Sequence, residues 1–254
     1  MADRRDLFAE QGSILLRNLL HPELVGALRA ELETAITREA AAYGTLAARD
    51  YGMLLAAPIY GGTLLRLAEH RELFALPNEI LGDGCIIHVY TSSSMPPGAG
   101  NYSSRIHRER SSRYPDIGDF IGVIILLDDF TEENGATWYL PASHRRPEQP
   151  SKQEFYARAK RLIAPAGSVF YFDWRLWHAG GINQTPRWRH ALAMGITPAY
   201  HKQKIDLPRA IPAEYAADLD DFGRQKLGFF SVPPSSLDEY YAPPEKRTYR
   251  QSPV

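Results

Sequence analysis

The sequence holds a single cysteine, Cys85, among 254 residues. An intrachain disulfide is therefore excluded, and so are zinc or iron–sulfur centres built on cysteine clusters. Cys85 itself reads as a small buried hydrophobe on a strand. Long apolar runs are also scarce. The longest, Ile121 to Leu127, is far short of the ~20 residues a membrane-spanning helix needs. The opening Met-Ala-Asp-Arg-Arg-Asp lacks the apolar stretch of a secretory leader, so a cytoplasmic location is expected. Neither charge sign dominates: 29 Lys and Arg against 30 Asp and Glu leave a formal net charge of −1. That balance gives no reason to expect nucleic acid or an anionic membrane as partner. No repeat, low-complexity tract or clear linker divides the chain, so a single domain over residues 1–254 is expected, large enough to bury a substantial core.

Within that domain the texture changes twice. Residues 1–83 read as helical. Pro22 suits a first helical turn, and Leu24, Leu28, Leu32 and Ile36 recur every four residues as one apolar stripe; this helix should fade by Gly44. A second helix is predicted from Thr63 to Ala75, stopping before Pro77. Residues 84–200 read as β-rich: Cys85 to Tyr90, Phe120 to Leu127, Thr137 to Leu140, Leu162 to Ala164, Ser168 to Asp173 and Ala191 to Thr197 are predicted strands. The run Phe120 to Leu127 is continuously apolar and should be buried on both faces. Short strands separated by turn residues suggest an antiparallel sandwich or barrel. Thr91 to Gly100 and Ser111 to Asp119 are candidate lids. The extension 201–254, rich in Pro, Asp and Tyr from Pro208, should wrap the surface or cover a site mouth.

Against that background one ordered set of residues carries chemistry. His107 and Glu109 are two residues apart in Arg-Ile-His-Arg-Glu-Arg. On an extended segment they project to the same side and can reach one ion, while Arg108 points away. His178 follows the predicted strand Val169 to Asp173 in an aromatic setting with Trp174 and Trp177. Two neutral imidazoles and one carboxylate with positions left open form the ligand set of a non-haem Fe(II) oxygenase and favour a transition metal over Mg²⁺ or Ca²⁺. His-x-Glu alone is weak; its combination with His178 is more specific. The remaining histidines read as surface or core residues, His88 among them as a satisfied core residue. Arg105, Arg108, Arg110 and Arg113 crowd the first ligand pair as a solvated face or an anchor for an anionic substrate.

Two further blocks carry a family resemblance. The first runs Leu127-Asp128-Asp129-Phe130-Thr131-Glu132-Glu133-Asn134-Gly135-Ala136-Thr137 and on into Leu140-Pro141-Ala142-Ser143-His144-Arg145. The second runs from Ala166-Gly167 through Asp173 to Leu176-Trp177-His178 and Asn183. From Gly84 to about Pro198 the chain resembles the phytanoyl-CoA dioxygenase family of Fe(II)/2-oxoglutarate oxygenases. The resemblance implies a double-stranded β-helix (jelly-roll, cupin-like) core with flanking helices, mainly β. It implies His107, Glu109 and His178 as catalytic iron ligands. Arg189, eleven residues past the distal histidine, would bind the distal carboxylate of 2-oxoglutarate, with help from Thr137. It also implies a small-molecule substrate and O₂ as partners. The reaction would be oxidation, by default hydroxylation, of an unactivated C–H bond through a ferryl species with release of succinate and CO₂, with specialised metabolism as the expected setting. Desaturation, epimerisation or ring closure share the first step.

The chain departs from the family pattern in places. Ile-His-Arg-Glu stands where the family usually has Trp-His-x-Asp, and Ala142 and Ser168 replace a glycine and an aspartate. A carboxylate at position 109 argues against a halogenase, where a small residue leaves room for chloride. Two rivals remain open: a silent jelly-roll binding protein, and a cupin-like metalloenzyme that does not use 2-oxoglutarate.

Overall fold

A computed structural model describes residues 4–43, 52–109 and 119–247. Gly44, Arg110, Arg113 and the candidate lid at 111–118 lie outside the described residues. The fold follows from strand β3 (Ile121–Leu126), in which every residue is buried. Its side chains alternate between two cores, as the period of a strand requires. Ile121, Val123 and Ile125 join one core with the helices, while Ile124 and Leu126 join a second with Phe130, Phe170 and Phe172. A strand covered on both faces cannot show the in/out alternation of a solvated sheet, which is why its sequence is uniformly apolar.

The helical cover comprises α1 (Arg4–Gln11), α2 (Pro22–Tyr43), α3 (Gly62–Arg66) and α4 (Arg71–Leu81). The apolar stripe of α2 is present: Leu28 and Leu32 are fully buried, with Leu24 and Ile36 packed at the margin. Two expectations for this region fail. The N-terminal part is not purely helical, because β1 (Ser13–Leu16) pairs antiparallel with β6 (Val169–Asp173). The helix predicted over Thr63 to Ala75 is broken at His70, whose ring accepts from the Leu73 N–H as an N-cap. Its successor α4 then runs through Pro77. Proline supplies no N–H to the carbonyl four residues back. Here that carbonyl, on Leu73, accepts from the Tyr171 hydroxyl at 2.9 Å.

The sheets are antiparallel. The larger has the order β1–β6–β3–β8–β2, with β2 at Ile86–Ser92 and β8 at Ala191–Thr197. The smaller has β4 (Trp138–Tyr139) between β5 (Lys160–Arg161) and β7 (His178–Ala179), with His107 bridged to the outer side of β7. From β3 onward the chain passes from the larger sheet to the smaller and back twice, so both sheets of the core are built from interleaved stretches of chain. Helical residues nevertheless outnumber strand residues, so "mainly β" describes the core and not the content. The strand predicted at Leu162 to Ala164 is displaced to β5, with Ala164 making only an isolated bridge to Phe130.

The predicted lid at Thr91 to Gly100 is a packed segment. β2 continues to Ser92, and Met95, wholly buried, exchanges backbone hydrogen bonds with Arg189 at 2.8 and 3.1 Å. The C-terminal extension also enters the core. Lys226 of α5 (Asp221–Leu227) is fully buried. Its ammonium donates to Asn78 Oδ1 at 2.7 Å and to the carbonyls of Asp83 at 2.8 Å and Cys85 at 3.3 Å. Those acceptors compensate a charge that would otherwise be costly to bury. Cys85 is buried as expected. No helix among the described residues is long and apolar enough to cross a membrane.

Candidate metal centre

His107 and His178 come together because their backbones pair. Each donates its N–H to the other's carbonyl, at 2.9 and 3.0 Å. Glu109 is fixed two residues on, its N–H donating to the Trp174 carbonyl at 3.1 Å. The spacing logic of the sequence therefore holds: His107 and Glu109 share a side, and Arg108 lies over the Trp177 ring at 4.9 Å.

The ligand atoms converge. Glu109 Oε1 is 3.5 Å from His107 Nε2 and 3.4 Å from His178 Nε2, and the three donors lie within 4.8 Å of one another. Two donors about 2.1 Å from one ion and separated by roughly 90–110° stand about 3.0–3.4 Å apart, so these spacings fit a transition-metal ion. The outer shell completes the fit. His107 Nδ1 meets the Arg105 carbonyl at 2.7 Å and His178 Nδ1 the Leu176 carbonyl at 2.9 Å. Each carbonyl fixes the proton on Nδ1 and leaves the Nε2 lone pair facing Glu109. Burial acts to raise the Glu109 carboxyl, but hydrogen bonding and charge from His107 and His178 outweigh it and hold it well below the usual carboxylate range. Burial conversely acts to lower His107, but Glu109 outweighs it and raises the imidazole.

Arg189 is placed apart from these ligands. It is 2% exposed. Its guanidinium donates to the Gly135 carbonyl at 3.2 Å and the Ser93 carbonyl at 3.1 Å, and lies 3.9 Å over the Phe130 ring. Nε has no partner among the described residues. Burial pushes the group down to about 9, with Asp128 acting in the opposite direction. Arg187, two residues earlier, is exposed. The two family-like blocks meet here: Asn134 bridges Asn183, and Gly135, at φ +79°, lies where an added Cβ would be 2.9 Å from the Asn183 nitrogen. A side chain is excluded at that position twice, by conformation and by space.

A cavity of about 360 Å³ opens on the centre. Glu109, His178 and Thr137 line it, as do Ser93, Trp174 and His88. Glu109 retains 42% side-chain exposure, and Thr137 is buried at the wall. Arg189 is not among the lining residues and sits behind Ser93.

His88 corrects the reading of a satisfied core residue: its Nδ1 has no partner. The pairing of β2 with β8 shifts register between Ile87 and Val89, so a bulge re-aims this side chain. Sequence alternation cannot reveal that. Tyr102, Ser103 and Lys204 also line the cavity and were not anticipated. Three further histidines take structural partners: His144 the Ala9 carbonyl through Nε2, although its Nδ1 is likewise unpartnered, His190 the Ser94 hydroxyl and His201 the Asp119 carboxylate.

Comparison with known proteins agrees with this architecture. An uncharacterized protein of Mycobacterium tuberculosis, Rv1501, is 30% identical over 209 residues, covering 80% of this chain and 77% of its own. The dioxygenase trt7 of Aspergillus terreus is 25% identical over 225 residues, covering 81% and 77%. The non-heme monooxygenase ThoJ has a similar fold, with a TM-score of 0.66, 22% identity and 78% of each chain covered. So does the non-heme alpha ketoglutarate dependent epimerase SnoN from nogalamycin biosynthesis, with a TM-score of 0.60, 17% identity and coverage of 77% of this chain and 79% of its own. The family model for phytanoyl-CoA dioxygenase matches residues 8–191, and the chain belongs to that family of non-haem dioxygenases.

Proposed function

We propose that the protein is an Fe(II)- and 2-oxoglutarate-dependent oxygenase that oxidises an unactivated C–H bond of a small metabolite, with hydroxylation as the default outcome and succinate and CO₂ as co-products. The observation that carries this reading is the convergence of two Nε2 lone pairs and one carboxylate on the wall of a cavity. His107, Glu109 and His178 hold the metal; three protein ligands leave positions open for other groups. When bound, iron with its keto-acid partner supplies O₂ activation and C–H cleavage. The Arg105 and Leu176 carbonyls orient the two imidazoles, and Trp174 fixes Glu109 through its backbone.

Arg189 binds the distal carboxylate of 2-oxoglutarate. Support comes from its buried charge, its unpartnered Nε and its place behind Ser93 and the cavity wall. A guanidinium grips a carboxylate with two parallel hydrogen bonds. Thr137 assists from the same wall. Since one relative of similar fold acts in nogalamycin biosynthesis, a substrate from specialised metabolism is the favoured class. The rival is a metalloenzyme without 2-oxoglutarate, and the indirect position of Arg189 is the observation in its favour.

The test is succinate formation from 2-oxoglutarate by the Fe(II)-loaded protein in air, without added substrate. Slow succinate release that disappears in His178→Ala is expected. Fe(II) binding with no succinate from either protein would overturn the proposal in favour of the rival.

A further inference from the structure

The cavity carries a cation apart from Arg189, which lies behind its wall. Among its described lining residues Glu109 is the one acid, and the metal claims it; Lys204 is the one permanent cation. No carboxylate among the described residues pairs with the Lys204 ammonium. Its nearest acidic neighbour in sequence, Asp206, caps the Arg209 N–H and pairs with the Arg209 side chain at 3.4 Å. Lys204 is anchored only through its backbone, whose N–H donates to the His88 carbonyl at 2.9 Å. Lys204 is exposed and lies at the mouth shared by this cavity and a neighbouring one, and its ammonium makes no hydrogen bond or ion pair among the described residues, so its three donors are open to a ligand.

This cation is anchored apart from Arg189. The Arg189 guanidinium is tied to the Ser93 carbonyl, and the Lys204 backbone to the His88 carbonyl. These two anchor points are five residue steps apart along the chain, which is about 16 Å of strand. Arg189 and Lys204 are thus anchored at opposite ends of this segment. Beside Lys204 the wall is aromatic: Trp174 stacks on Phe120 with centroids 4.5 Å apart, and His88 meets both rings edge-on at 5.5 and 5.2 Å. The total volume of about 360 Å³ is near the lower end of the ~300–1,000 Å³ typical of small-molecule pockets.

We infer that Lys204 anchors the substrate, and that the substrate is a small carboxylic acid whose apolar or ring-shaped body rests against Trp174. A single ammonium matches a singly charged acid, and the aromatic wall matches its body. The inference rests on the proposed oxygenase reading for what happens to that acid, but the binding site itself does not require turnover.

The test is calorimetric titration of the protein, with saturating 2-oxoglutarate present, using pairs of small ring acids and their amides: benzoate and benzamide, cyclohexanecarboxylate and its amide. Acids binding about tenfold tighter than their amides are expected, since a charge-assisted hydrogen bond replaces a neutral one. That preference should vanish in Lys204→Gln, persist in Lys204→Arg and survive in Arg189→Ala. Equal affinity for acids and amides, no acid binding at millimolar concentration, or a preference lost in Arg189→Ala and kept in Lys204→Gln would each overturn the inference. The titration of 2-oxoglutarate itself is read separately. If 2-oxoglutarate fails to bind, the oxygenase reading fails, while the acid–amide comparison still decides the role of Lys204.

Discussion

His107 and His178 exchange both of their backbone hydrogen bonds, and the same pairing sets their imidazole centroids 4.2 Å apart. Two ligands far apart in sequence are thus brought to one ion by sheet register, with no bond from either ring to the other's backbone. Side-chain deletion should leave the register intact. His178→Ala is expected to fold with an unchanged far-ultraviolet spectrum and to bind Fe(II) at least about 100-fold more weakly, since even outer-shell changes cost 10–100-fold. Circular dichroism and metal analysis after gel filtration check both halves.

The charge state of the same group predicts a pH dependence. Glu109 is held below the usual carboxylate range by its histidine contacts, although burial opposes this, and His107 is raised by Glu109, again against burial. In the metal-free protein the stability from the depressed Glu109 is present above the ordinary carboxylate range and lost as pH falls through its folded value. The stability from the raised His107 is fully present below the ordinary histidine range and lost as pH rises through its raised value. Wild type should therefore gain most over Glu109→Gln between roughly pH 4.5 and 6.5 and lose the gain at higher pH. Metal binding runs the other way, because the proton on His107 competes with the ion: Fe(II) affinity should rise as pH passes above the ordinary histidine range. Urea unfolding across pH and metal titration across pH measure the two trends.

Arg189 gives a stability signature for the co-substrate. Its charge is buried without a carboxylate in contact among the described residues. A dicarboxylate that pairs with it should stabilise the fold by about 2.7 kcal/mol at a hundred times its Kd. For a chain of this length that is a rise in Tm of roughly 5–10 °C. Arg189→Met should lose most of that rise while His178→Asn, in the absence of metal, should keep whatever part Arg189 provides. Differential scanning fluorimetry with and without 2-oxoglutarate reads the difference.

Gly195 couples the wall of the cavity to the metal centre. A Cβ placed there would lie 2.1 Å from the Trp174 ring, and the Trp174 carbonyl holds the Glu109 N–H. Gly195→Ala should cost about 1–3 kcal/mol by overpacking and weaken Fe(II) binding as Trp174 is displaced. Equilibrium denaturation and metal titration of the variant test both effects.

What was legible in the sequence was local. The two-residue step from His107 to Glu109, the outward turn of Arg108 and the double burial of β3 all follow from the period of a strand, and the structure has them. Long-range compensation was not legible. Pro77 sits inside α4 because Tyr171, from a distant strand, takes the orphaned Leu73 carbonyl. His88 reaches the cavity because of a bulge that depends on β8. Lys204 reaches the cavity because its backbone N–H and the Gln203 side chain are tied to the His88 and Ile87 carbonyls of β2. Each depends on a partner many residues away, which a window of neighbouring residues does not contain.

The most direct test of the central claim is an anaerobic titration of the metal-free protein with Fe(II) and then 2-oxoglutarate, followed by visible absorption. A saturable, weak charge-transfer band from the metal–keto-acid chelate, absent in His178→Ala and shifted to higher 2-oxoglutarate concentrations in Arg189→Ala, is the predicted result. Tight Fe(II) binding with no band at any 2-oxoglutarate concentration would contradict the account.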